Sequence, residues 1–158
     1  MEVPCHHRQY DESGTALQGK RTERRPLFRA IAVSHADRTL ENHYREDFST
    51  FHVVDYDDGT GEIRRRCTAQ GYSDDSAWAR GQAWSIYGFT LAYRFTRDQK
   101  YLDRACSIAD FLLGHENMPA DLVPYWDFNC PALADKPEDC GYDAWTADGT
   151  PYRDVSSA

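Results

Sequence analysis

The sequence predicts an all-α fold with one small β-hairpin and long ordered loops, and three observations lead there. First, Gly71–Phe89 joins a loop of acids and hydroxyls to a run of aromatic and small residues that continues without proline to Phe95. Apolar or small residues occur all round that helical wheel, the pattern of a helix buried on most sides rather than an amphipathic surface helix. Second, the short polar link Arg94–Gln99 is followed by Tyr101, Leu102, Ala105, Cys106, Ala109, Leu112 and Leu113 at helical spacing, and Gly114 stops the run. Two helices with so short a link run antiparallel. Third, Pro26 suits a first helical turn, and Leu27, Phe28, Ile31, Ala32, His35, Ala36 and Leu40 keep the 3.6-residue period to about His43.

In chain order, Met1–Arg25 is polar, with Gly14 and Gly19 set among charges, and offers no periodic face to bury, so a disordered or atypical leader is expected. Residues 26–158 form the domain. After the first helix, Phe48–Tyr56 favours extended structure, Asp57-Asp-Gly-Thr-Gly61 is a turn, and Glu62–Thr68 returns as a second short strand. Ser73–Ser76 are cap formers, with Asp74 or Asp75 positioned to accept from the free N–H groups of a helix starting near Ala77. On that helix Arg80, Trp84, Gly88 and Leu91 share a stripe, with Gln82 to one side. Asp98 caps the next helix. Met118–Pro137 holds four prolines and the piece Val123-Pro-Tyr-Trp-Asp-Phe-Asn129, too proline-rich for a helix and too aromatic for a solvated linker, so an ordered loop is expected. The loop continues through Asp139–Tyr152, and Asp154 or Ser156 is a cap-like residue at the chain's end.

The chain's 158 residues suffice for one ordinary domain. Aromatic residues are 13% of the chain, including 4 Trp and 10 Tyr, as in a cleft lined by flat rings or a well-filled core. A net charge of -8 argues against non-specific nucleic-acid binding, which needs a basic face. Arg64-Arg-Arg66 reads as a solvated strand face. The 5 cysteines have no close Cys-x-x-Cys pair, which fits free, mostly buried thiols. Cys5-His6-His7 lacks a second ligand cluster, and an EF-hand placed on Asp55, Asp57 and Asp58 would put its glycine on Thr60 and its glutamate on Arg66, so no metal is expected. There is no apolar run of membrane-span length and no signal-peptide order at the start, so membrane association is not expected. The chain reads as soluble, cytoplasmic or, should a true N-terminus be missing, secreted; its oligomeric state is not legible.

His35-Ala36, Asn42-His43, His52-Val-Val-Asp-Tyr56, Thr68-Ala-Gln-Gly-Tyr72, Trp78-Ala-Arg-Gly-Gln-Ala-Trp84, Tyr87-Gly88, Pro124-Tyr-Trp-Asp-Phe128, Arg153-Asp154 and Ser156-Ser-Ala158 together resemble the unsaturated glucuronyl hydrolases, glycoside hydrolase family 88. The resemblance runs from about Pro26 to the end. It implies an (α/α)6 barrel with its site in the mouth. It also implies action on lyase-generated oligosaccharides ending in a 4,5-unsaturated uronic acid. An aspartic acid protonates the enol-ether double bond and assists water addition at C5, after which the hemiketal opens; no metal or organic cofactor is required. Residue by residue it places His52, Thr68, Gln70, Arg80 and Trp84 in the substrate site.

Elementary chemistry supports two of these. Arg80 presents a planar fork that can hold a uronate carboxylate or a sulfate, a charged hydrogen bond worth roughly 1.5–3 kcal/mol. Trp84, one turn on, offers a flat apolar face to a sugar ring. The purely structural alternatives are an Arg80 ion pair with Asp74 or Asp75, and ordinary hairpin hydrogen bonds for His52, Thr68 and Gln70. Trp78 and Trp126 read as packing residues.

The catalytic aspartates of the family lie upstream of the matched blocks, and Met1–Arg25 does not resemble that region. No catalytic residue is therefore carried onto this chain, including Asp11, Asp74, Asp75 and Asp127. Twelve helices of about 11 residues with links of about 5 need roughly 190 residues, so 26–158 is expected to be an incomplete barrel and, alone, inactive. Two other readings are a non-catalytic carbohydrate-binding pseudo-enzyme and an unsaturated rhamnogalacturonyl hydrolase. Calorimetric titration addresses the first, because an incomplete barrel should neither bind nor melt cooperatively. Activity on a pectin-derived disaccharide addresses the second.

Overall fold

A computed structural model describes residues 26–130, 146 and 148–157. The expectations for Met1–Arg25, for Cys5 and Cys140, and for most of Pro131–Asp148 lie outside them. The described chain is mainly helical. Its elements are α1 (Pro26–Asn42), β1 (Val53–Tyr56), β2 (Ile63–Cys67), α2 (Ala79–Thr96), α3 (Gln99–Gly114) and a 3-10 turn at Val155–Ser157. None of these helices is long and apolar enough to cross a membrane.

The α2–α3 pair forms as its spacing predicts. Arg97 adopts a left-handed conformation (φ 64°) and returns its N–H to the Tyr93 carbonyl at 2.8 Å, ending α2. Asp98 then caps α3 by accepting from the Lys100 N–H at 3.2 Å. The antiparallel arrangement stacks Phe89 on Tyr101, ring centroids 5.9 Å apart, and sets Leu112 near the end of α3 against Ala77 and Ala79 at the start of α2. Phe89 and Ile108 are completely buried, each worth about 1.5–3 kcal/mol of transfer free energy. Ala36 brings α1 into the same core. Two polar pins fix its tilt: Tyr101 Oη donates to Asp37 at 2.6 Å and Arg29 Nη1 donates to the Phe95 carbonyl at 3.0 Å. Leu27 and Ile31 of α1 stay exposed.

The hairpin is shorter than its β-favouring sequence, because residues 48–52 are spent on tertiary contacts. Thr50 is held from outside, as its N–H donates to Gln82 Oε1 at 3.0 Å while Gln82 Nε2 donates to Thr50 Oγ1 at 2.9 Å. β1 and β2 pair antiparallel, and the Asp57 carboxylate closes their turn on the Gly59 and Thr60 N–H groups and on Arg64. Those local bonds explain why Asp57 sits there. Arg64, Arg65 and Arg66 are all exposed, but they do not form one face: Arg64 pairs with Asp57, Arg65 with Asp55, and Arg66 donates to the Asn42 carbonyl. Of the three described cysteines, Cys67 and Cys106 are free thiols that are not buried, against the expectation of mostly buried thiols, while Cys130 is buried and donates through Sγ to the Asp127 carbonyl at 2.8 Å.

The start of α2 differs from expectation. The helix begins at Ala79 after Trp78, with no side-chain cap. Asp74 accepts instead from the Thr68 N–H at 2.8 Å, tying the loop to the hairpin. The Ala79 N–H is satisfied by the Trp126 carbonyl at 3.0 Å. The aromatic loop thus does the capping: residues 124–128 lie as a strip between 77–79 on one side and 152–154 on the other. Phe128 donates to Ala77, Trp126 to Tyr152, and Asp154 to Pro124. Trp78, Trp126 and Phe128 are buried along this strip, as packing residues should be.

Candidate substrate site

Two polar knots and one ion pair shape the region in front of α2. In the first knot, His52 Nδ1 accepts from the Ala69 and Gln70 N–H groups, each at 3.1 Å. A ring nitrogen that accepts carries no proton, so the imidazole is neutral with its hydrogen on Nε2. The Thr68 hydroxyl lies 3.1 Å from the same Nδ1 and itself accepts from the Gly71 N–H at 2.7 Å. Gly71 is required by close approach, since a Cβ there would stand 2.5 Å from Thr68 Oγ1 and 3.3 Å from Trp78 Cβ. The ring of His52 stacks on Trp78 with centroids 4.2 Å apart.

The second knot is centred on Asp127, which is fully buried. Its Oδ2 accepts from the Ser76 hydroxyl at 2.7 Å and the Tyr72 N–H at 2.9 Å, and its Oδ1 accepts from the Asn129 N–H at 2.9 Å. Burial pushes this carboxyl above the ordinary value, and its three donors only partly offset that. Arg45 fastens the same loop from the other side, donating to the Asp74 and Ser76 carbonyls while lying 4.0 Å over the Phe51 ring. Both knots hold backbone, which leaves Asp127 buried as a scaffold.

Arg80 is the ion-paired residue, and its partner is Asp154 rather than Asp74 or Asp75. Nε donates to Asp154 Oδ2 at 3.1 Å and Nη2 donates to Oδ1 at 3.0 Å. Asp154 is buried and also accepts from the Ser156 and Ser157 hydroxyls. Burial raises its pKa, but Arg80 and these hydroxyls outweigh that and hold it below the ordinary carboxylate value. The cap-like Asp154 thus caps the 3-10 turn that follows it. Arg80 spends one edge of its guanidinium on this pair, and its side chain remains 39% exposed.

Arg80, Ala83, Trp84, Tyr87 and Ser156 line an open concavity of about 630 Å³, within the range of small-molecule sites. The stripe therefore runs 80, 83, 84, 87 along α2; Gly88, which the spacing also placed there, is buried in the helix packing. Trp84 meets Tyr87 edge-on at 5.5 Å. Of the five residues placed in the substrate site, the structure sets Arg80 and Trp84 on one wall. It gathers His52, Thr68 and the Gln70 backbone into a neighbouring cluster, and those three do not line the concavity. Trp78 joins the groups, stacked on His52 and 5.7 Å from the Arg80 guanidinium carbon. Asp154, Ser156 and Tyr87 were not singled out as site residues. The Asp-Val-Ser-Ser run carried a local capping signal for the first two, but its partner lies 74 residues earlier.

No family model matches the chain. An unsaturated glucuronyl hydrolase of Formosa agariphila is 49% identical over 113 residues, 72% of this chain and 28% of that protein. The solved unsaturated glucuronyl hydrolase of a Bacillus species, described as responsible for the degradation of glycosaminoglycan, superposes with a TM-score of 0.75 at 31% identity, covering 92% of this chain and 34% of that one. A mutant of the Streptococcus agalactiae enzyme solved with dGlcA-GalNAc6S gives a TM-score of 0.62 at 33% identity over 81% of this chain and 33% of that one. The chain therefore spans about a third or less of the length of these relatives. Over the matched residues, this chain belongs to the unsaturated glucuronyl hydrolase family.

Proposed function

We propose that this chain supplies part of the sugar-binding wall of a glycoside hydrolase that releases 4,5-unsaturated uronic acid from lyase-generated glycosaminoglycan oligosaccharides. The observation that carries this reading is the pairing of Arg80 and Trp84 on one open concavity, one turn apart on α2. Arg80 meets the uronate carboxylate with the guanidinium edge that Asp154 leaves uncovered, and Trp84 supports a sugar ring on its face. His52, Thr68 and Gln70 adjoin this wall as one hydrogen-bonded cluster and in this reading complete the substrate site. The two helical hairpin partners and α1 are read as part of an (α/α)6 barrel, whose mouth the concavity represents. Its proton-donating aspartate lies outside the matched residues, and Asp127 is not that acid, because all its hydrogen bonds serve the loop.

The test is a nitrogen-detected NMR titration of the 158-residue chain with unsaturated chondroitin disaccharide. Against the expectation for an incomplete barrel, α2, the 124–128 strip and the 152–154 segment are already joined around this wall, so the chain is expected to fold and bind on its own: the Trp84 indole and Arg80 Nε–H signals should move together and saturate, with Arg80→Ala abolishing the response. Failure of both signals to move at millimolar disaccharide would sink the assignment. Alongside it, the enol-ether absorbance should persist on incubation, and its decay would locate a working acid within this chain.

A further inference from the structure

The proposed uronate site gives Arg80 an anionic ligand, yet Arg80 already holds one anion bidentately from within the chain. Two consequences are conceivable. The Asp154 carboxylate could occupy the place of the uronate and compete with it, or it could hold the guanidinium in the orientation that receives the uronate. The geometry decides between them. Asp154 engages only the Nε and Nη2 edge. A guanidinium has a second, parallel fork formed by Nη1 and the outer hydrogen of Nη2. Asp154 is itself fixed and buried: Ser156 N–H and Oγ donate to Oδ1 at 3.2 and 2.5 Å, Ser157 Oγ donates to Oδ2 at 3.0 Å, and its own N–H is held by the Pro124 carbonyl at 2.8 Å. A carboxylate so tied does not swing aside to admit a ligand. Ser156 lines the same concavity as the exposed part of Arg80, so the turn that carries the clamp also borders the ligand space.

We propose that Asp154 is a positioning residue, clamping the inner edge of Arg80 so that its outer edge is presented to the carboxylate of an unsaturated uronic acid; this rests on the uronate reading of the concavity. The strip pairing of 124–128 with 152–154 is what delivers the clamp to α2.

The experiment turns on a sign. Removing a negative charge 3.0 Å from Arg80 by Asp154→Asn should, on charge alone, tighten binding of an anionic sugar. If Asp154 positions Arg80, the same nearly isosteric change should weaken it by about tenfold or more, because an amide cannot accept on both arms. Unsaturated chondroitin disaccharide is titrated into the wild-type chain, Asp154→Asn and Arg80→Lys, with amide fingerprints confirming the fold. Hydrogen exchange of Arg80 Nε–H in the wild-type chain gives a readout without any variant. The expected result is a protected Nε–H in the wild type and weaker binding by both variants. Equal or tighter binding by Asp154→Asn, or an unprotected Nε–H, overturns the clamp while leaving the uronate site standing. A wild-type chain that does not respond to the disaccharide overturns the uronate reading itself, and the clamp with it.

Discussion

Asp127 offers a sharp stability test because its three donors differ in what they would lose. In Asp127→Ala the Ser76 hydroxyl has another acceptor at hand, the Ser73 carbonyl at 2.9 Å, so its loss is small. The Tyr72 N–H is half-buried and is left without its acceptor at 2.9 Å, and the Asn129 N–H at 2.9 Å borders an exposed residue and can turn to water. One stranded donor costs about 1–3 kcal/mol and the two weaker losses roughly 0.5–1.5 kcal/mol each, for a total of about 2–6 kcal/mol. Asp127→Asn can keep both bonds at Oδ2 by placing its oxygen there, and sets its amide against the Asn129 N–H alone. The neutral side chain is also relieved of the burial penalty that raises the Asp127 pKa. The net cost should fall to about 1–2 kcal/mol. Urea unfolding followed by tryptophan fluorescence measures both, and amide exchange of Tyr72 localises the damage. A cost for Asp127→Asn equal to or greater than that of Asp127→Ala, or an alanine variant within 1 kcal/mol of wild type, would refute the account of Asp127 as an acceptor hub.

Gly71→Ala should destabilise by about 1–3 kcal/mol, because its Cβ meets Thr68 Oγ1 at 2.5 Å with Asp127 Oδ2 at 3.1 Å behind it; chemical shifts of the His52 ring would move in step. Gln82→Leu should cost about 1–3 kcal/mol by stranding the Thr50 N–H, with thermal unfolding as the readout and unchanged stability as the contrary result. Asp154 gives a pH signature. Its folded pKa lies below the unfolded one, so its stabilisation is fully present above the ordinary value of about 3.9 and is lost as pH falls through the lower folded value. The stability gap between wild type and Asp154→Asn should therefore be constant near neutrality and close in acid. A gap that widens below pH ~4 would contradict the sign.

The helices were legible because their signals are local. Asp98 caps α3, Gly114 closes it, and α1 keeps its helical period through Asn42 as its spacing predicts. The pairing of α2 with α3 followed from a link too short for any other path. Arg80 and Trp84 could be placed on one stripe from spacing alone, since residues four apart on a helix share a face. The start of α2 was not legible. Asp74 and Asp75 are good cap formers in isolation, yet a backbone strip from residues 124–128 takes that role, and no local pattern records which distant segment satisfies a helix N-terminus.

By itself, then, the amino-acid order determined where helices lie, which of their faces are apolar, and which side chains carry sugar-binding chemistry, because those properties depend on neighbours within a few residues. Only the tertiary structure decided that Asp154 is the partner of Arg80, that Asp127 is spent on the loop, and that His52 is held as an Nε2–H donor. Each of those outcomes depends on which buried donor finds which acceptor, often across tens of residues. That is settled by the cost of leaving polar groups unsatisfied once the whole chain has packed.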